Sequence, residues 1–64
     1  MVKVNGEAKD IAGKTVVEFL TLEEYDLKRV AVECNGDIVP KAEYESFRFK
    51  DEDTVEVVSF VGGG

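Results

Sequence analysis

A single stretch of this chain has helical spacing, and residues on both sides of it alternate with period two. Thr15 opens the stretch, and Val16, Val17, Phe19 and Leu20 form an apolar stripe, with Glu23 and Glu24 on the wetter side. Thr15 and Glu18 have the spacing of a capping box, in which the hydroxyl accepts one backbone N–H and the carboxylate accepts another. The pattern predicts a helix over about Thr15 to Glu24. Its β-branched opening is a poor helix former, and a helix this short does not persist alone in water. It must therefore lie against a sheet built from the rest of the chain.

The strands can be read on either side. Val2 and Val4 alternate with Lys3 and Asn5, as in a half-buried strand. Asn5-Gly6 is a strong hairpin signal, because both positions of a tight primed turn need φ > 0. The return strand, Glu7 to Ile11, is weak in propensity and rests mainly on that turn. After the helix, Val30, Val32 and Cys34 share one face of a third strand, and Asn35-Gly36 turns the chain again into Ile38-Val39. Pro40 cannot donate to a ladder, so pairing ends there or the segment is an edge. Phe47 and Phe49 flank Arg48 in a short piece with two inward aromatics, and Lys50 to Asp53 form a charged turn. Val55, Val57 and Ser59 alternate with Glu56, Val58 and Phe60 in the last strand. One helix among these strands predicts an α+β fold, a mixed sheet with the helix packed on one face. That order is a β-grasp.

Size and charge narrow the function. A 64-residue chain is one small domain and buries only about 60% of its unfolded surface, which leaves little room for an internal substrate cleft. Fourteen acidic against eight basic residues give a net charge of −6, which disfavours binding to a phosphate backbone. No apolar stretch approaches the length of a membrane span, and no basic-then-apolar leader opens the sequence. Cys34 is the only cysteine and histidine is absent, so zinc, haem, iron–sulfur and His-based nucleophilic chemistry lack their usual ligands and bases. A small domain without disulfides suits a reducing compartment. The expectation is a soluble, cytoplasmic, non-enzymatic domain without cofactor or metal.

Three features carry information beyond this. Cys34 shares the parity of Val30 and Val32, so it points into the core, and its neighbours in sequence offer nothing to lower its pKa. Val58 and Phe60 have the parity opposite to Val55 and Val57. A single helix covers only one face of a sheet, so these two side chains form a candidate docking patch. The sequence then runs Val61-Gly62-Gly63-Gly64. Residues 1–61 read as the β-grasp domain and 62–64 as a flexible reactive tail. Three extended glycines reach roughly 10 Å, and lacking Cβ atoms they enter slots too narrow for other residues. A free carboxylate is ionised at neutral pH and is a poor electrophile. It reacts only after another protein gives it a leaving group.

The β-grasp order ending in Gly-Gly resembles the ubiquitin-like superfamily, and more closely its sulfur carriers. Within these the chain is similar to the ThiS family of thiamine thiazole biosynthesis. The matching stretches are Val4-Asn5-Gly6, Thr15-Val16-Val17-Glu18, Arg29 to Glu33, Asn35-Gly36, Ile38-Val39-Pro40, Asp53 to Val58 and Phe60 to Gly64. The resemblance spans essentially the whole chain, and Leu27, where many relatives carry Pro, is a departure confined to one loop.

The resemblance implies a cycle in which an adenylating enzyme of the ThiF type joins AMP to the Gly64 carboxylate. Sulfur from a cysteine desulfurase or related persulfide donor then converts the end to a thiocarboxylate. A thiazole synthase of the ThiG type receives the sulfur. Gly62 and Gly63 would enter the partners' active sites, Val58 and Phe60 would dock, and the free carrier would be a monomer. Carriers for molybdopterin, cysteine or tRNA thiolation share the fold and tail. A non-reactive interaction module and a protein modifier joined to lysines remain alternatives.

Overall fold

Among the described residues the last strand in chain order lies in the middle of the sheet. The computed structural model describes residues 1–60. The elements run β1 (Val2–Val4), β2 (Glu7–Lys9), α1 (Val16–Leu22), β3 (Val30–Cys34), β4 (Asp37–Ile38), a 3-10 turn (Lys41–Glu43) and β5 (Thr54–Ser59). The sheet order is β2-β1-β5-β3-β4. β1 and β5 are parallel, and every other pairing is antiparallel. This is the mixed five-stranded sheet with one helix that the element order predicts.

Both hairpins turn where expected. Asn5 and Gly6 have φ of 49° and 86°, and Asn35 and Gly36 have 53° and 88°, the double positive φ of a primed turn. The capping box is complete. Glu18 N–H donates to Thr15 Oγ1 at 3.1 Å and Thr15 N–H donates to Glu18 Oε1 at 2.7 Å. Val16, Phe19 and Leu20 are buried and Val17 is half-buried. Phe19 meets Phe49 edge-on, with ring centroids 5.8 Å apart, a favoured aromatic geometry.

Two expectations need correction, and one short segment lies apart from the sheet. The helix ends at Leu22, not Glu24, because Glu24 takes φ 62°. Its N–H donates to Thr21 O while Tyr25 N–H donates to Leu20 O, the pair of bonds that defines a Schellman cap. Glycine is usual at that position, so the glutamate hides the stop from a sequence reader. β2 stops at Lys9, and Ile11 instead fills the core from the loop beyond. The Phe47–Phe49 piece forms no strand of the sheet. It pairs with the approach to α1, through one bridge at Thr15–Arg48 and bonds from Val16 N–H to Phe47 O and Phe49 N–H to Lys14 O. Phe49 is buried and Phe47 half-buried, so the aromatics do turn inward. β4 is an edge strand that ends two residues before Pro40.

Candidate functional site

β5 brings the candidate docking residues to one end of the sheet. Val55 and Val57 are 0% and 7% exposed and face α1. Val58 is 53% exposed on the opposite face, as strand alternation requires, and Phe60, one residue beyond β5, is 57% exposed. The Phe60 N–H donates to Arg29 O at 2.6 Å, so pairing with the β3 side continues to the last described residue. Gly62, Gly63 and Gly64, together with the 61/62 domain boundary, lie outside the described residues.

Two side chains that sequence reasoning missed hold this strand. Asn5 Oδ1 accepts the Val57 N–H at 2.9 Å, and its Nδ2 donates to Val57 O at 3.2 Å. β1 has already ended at Val4, so the amide takes over the ladder where the backbone leaves. On the other side of β5, Asn35 Oδ1 accepts the Thr54 N–H at 2.9 Å, and Asn35 Nδ2 donates to Asp53 Oδ1 at 3.0 Å. Each asparagine thus shapes a turn with its backbone and fastens β5 with its side chain. An Asn-Gly pair signals the turn. No sequence pattern signals the second role.

Cys34 is buried, as its parity predicts. Burial pushes its thiol up to about 11, helped by the negative charge of neighbouring Asp53. A thiol so protonated is a weak nucleophile at neutral pH. Asp53 is held below its usual carboxylate range. Burial, the largest single influence, works against its charge, but the Lys50 N–H, the Asn35 amide and the Cys34 thiol together outweigh it. A hollow of about 440 Å³ opens beside these groups, with Arg48, Lys50 and Phe47 on its walls. Its charges are mixed, and its one thiol is protonated. Among the described residues no three His, Cys, Asp or Glu side chains cluster as metal ligands, and no helix is long and apolar enough to cross a membrane.

Comparison with known proteins decides the family. The ThiS family model matches residues 2–64. The chain belongs to the ThiS family of sulfur carrier proteins. It is 37% identical to the sulfur carrier protein ThiS of Bacillus subtilis over 68 aligned positions, covering all of both chains. The crystal structure of the thiamine biosynthesis protein ThiS from Geobacter metallireducens superposes with a TM-score of 0.76 at 31% identity, covering 98% of this chain and 97% of that one. A thiazole synthase of Paramagnetospirillum magneticum is 42% identical over 62 residues, which are 95% of this chain but only 19% of that protein. The ubiquitin-like β-grasp read from the element order is therefore the fold of the family. Members of the family are carriers on which other enzymes act, and this chain is a carrier rather than an enzyme.

Proposed function

We propose that this carrier serves thiamine biosynthesis through its Gly64 carboxylate, which is adenylated and then converted to a thiocarboxylate. An adenylating enzyme of the ThiF type uses ATP to place AMP on the carboxylate, making AMP the leaving group that the ionised acid lacks. The outer sulfur of a persulfide donor displaces the AMP to form an acyl disulfide. A second thiol cleaves its S–S bond to leave the thiocarboxylate and a donor disulfide. A thiazole synthase of the ThiG type takes the sulfur from the thiocarboxylate. Gly62 and Gly63 thread the partners' narrow channels, and Val58 and Phe60 provide the grip outside them.

The observation that best supports this reading is the build of β5. It is paired with β1 and β3, clamped by Asn5 and Asn35, and ends at Ser59, a few residues before the glycines in the sequence, with Val58 and Phe60 exposed. A rigid strand ahead of a glycine run lets a docked domain aim its end at a distant active site. The likeness to a stretch of a protein named as a thiazole synthase supports that enzyme as the sulfur's destination. The chain itself contributes an acyl group, and its lone glycines at Gly6, Gly13 and Gly36 match no nucleotide-binding motif.

Removing Gly63 and Gly64 tests the proposal. The melting temperature should stay the same within error, since no side chain is lost from the core, and ATP-dependent adenylation should vanish. Full-length protein incubated with the adenylating enzyme, ATP, a persulfide donor and a reducing thiol should gain the mass difference between one sulfur and one oxygen. A truncated protein that is still adenylated would overturn the assignment of Gly64.

A further inference from the structure

Asn5 and Asn35 occupy the same position of the same kind of turn, yet they grip opposite ends of β5. Asn35 accepts the N–H of Thr54, the first residue of the strand. Asn5 holds Val57, in the half of β5 nearer the glycines in sequence. The paired residues of β1 and β5 are Lys3 with Thr54 and Val4 with Val55. The Asn5 N–H adds a bond to Val55 O at 2.9 Å, and the backbone then departs, with φ of 49° and 86° at Asn5 and Gly6. In a parallel ladder the next N–H and C=O of β5 on that side belong to Val57. The Asn5 carboxamide meets both, its Oδ1 accepting at 2.9 Å and its Nδ2 donating at 3.2 Å. A side-chain amide has the donor and the acceptor of a peptide group. It therefore stands in for the peptide unit that β1 would supply had it continued. On the other flank β3 pairs with β5 as far as Val30 opposite Ser59.

We propose that Asn5 is a positioning residue for the activation of Gly64: by continuing the sheet beside Val57, it fixes the direction in which β5 hands over to the residues that follow. The inference rests on the reading of Gly64 as the activated end. In that step an oxygen of the Gly64 carboxylate attacks the α-phosphorus of ATP, a new O–P bond forms, and pyrophosphate leaves. Such an attack needs alignment, and a misplacement of about 1 Å is enough to slow it severely. Whatever path residues 61–64 take, it starts from the end of β5. A strand end with hydrogen bonds on one flank alone opens more readily than one held on both. Asn5 acts through the strand, since its side chain is committed to Val57. Asn35 fixes where β5 begins, at the end away from the glycines, so it bears on stability more than on aim.

The test follows pyrophosphate release by a ThiF-type adenylating enzyme with ATP and full-length carrier, as wild type, Asn5→Gly, Asn5→Asp and Asn35→Gly. Glycine keeps the positive φ of each turn and deletes only the carboxamide. Aspartate also tolerates that φ and keeps the acceptor for the Val57 N–H. Asn5→Gly should lower kcat about tenfold at saturating carrier and change KM by less than about twofold, the pattern of lost positioning. Asn5→Asp should fall between it and wild type, and it carries the comparison alone if Asn5→Gly does not fold. Asn35→Gly should lower the melting temperature by a similar amount but reduce kcat at least about threefold less than Asn5→Gly. Amide exchange in Asn5→Gly should quicken at Val57 more than at Val32. If the two glycine variants lose kcat equally, or in proportion to their melting temperatures, Asn5 is structural and the inference fails while the role of Gly64 stands. A loss confined to KM overturns it as well, and so do unchanged kinetics with faster exchange at Val57. If wild-type carrier is not adenylated at all, the reading of Gly64 falls and takes this inference with it.

Discussion

Val57 and Val58 are identical residues, adjacent in the chain and in the same strand, yet one is 7% exposed and the other 53%. Val57 lies under α1 and belongs to the core, whereas Val58 stands on the bare face with Phe60. Hydrophobicity cannot distinguish them. Strand parity does, together with the fact that one seven-residue helix covers one side of a five-stranded sheet. An apolar residue on β5 is therefore a folding element or a candidate contact according to its position modulo two. The two faces of β5 should respond differently to the same change.

The largest contrast is expected for an introduced charge. Val55→Asp places a carboxylate in a fully buried site and should cost on the order of 4–5 kcal/mol or more, enough to unfold most of a domain this small. Val58→Asp should fold and melt within a few degrees of wild type, a shift of about 0.5 kcal/mol or less for a surface site. Circular dichroism melts of the pair read the difference directly, and equal behaviour would erase the distinction between the faces. Truncation sharpens the same contrast. Val57→Ala should cost about 2 kcal/mol from lost burial and the cavity left behind. Phe60→Ala should change stability by no more than about 0.5 kcal/mol but weaken binding to the adenylating enzyme about tenfold or more. A Phe60→Ala protein that melts like Val57→Ala and binds normally would mean that the faces are exchanged.

Two smaller effects follow from titration. Cys34, on the covered side, has its thiol raised from an ordinary 9.0 to about 11. For a group raised in the fold, the stabilisation is complete below the unfolded value and lost as pH climbs through the folded one. Wild type should lose stability between pH 9 and 11, and Cys34→Ala should lose less over that window. Glu18, on the open side of α1, is lowered chiefly by the hydrogen bond from the Thr15 backbone N–H, with the Thr15 side chain helping. Its contribution is present above the ordinary 4.5 and disappears as pH falls through the depressed value. Acid melts of Glu18→Gln should therefore be flatter than those of wild type. This is the smallest of the expected effects, because the group is exposed.

What could be read in the sequence was local. The Asn-Gly turns, the Thr15–Glu18 box and the parity of Val55 through Phe60 each depend on residues within a few positions, and the structure contains all three. The hidden features require a partner far along the chain. Asn5 grips Val57 from 52 residues away and Asn35 grips Thr54 from 19, and neither link leaves a periodic trace. The end of α1 was missed because a glutamate occupies the left-handed position where glycine ordinarily signals a stop. On the candidate site, the exposure of Val58 and Phe60 was legible from alternation, whereas Gly62, Gly63 and Gly64 lie outside the described residues.

The central place of β5 also orders events in time. During synthesis β1, β2, α1, β3 and β4 all leave the ribosome before β5 does, yet β1 and β3 become parts of one sheet only when β5 slots between them. Closing the parallel β1–β5 pair joins segments about fifty residues apart, a long-range contact of the kind that slows folding. The sheet is thus finished by the strand that adjoins the glycines. A nascent chain therefore has no assembled sheet until β5 is made.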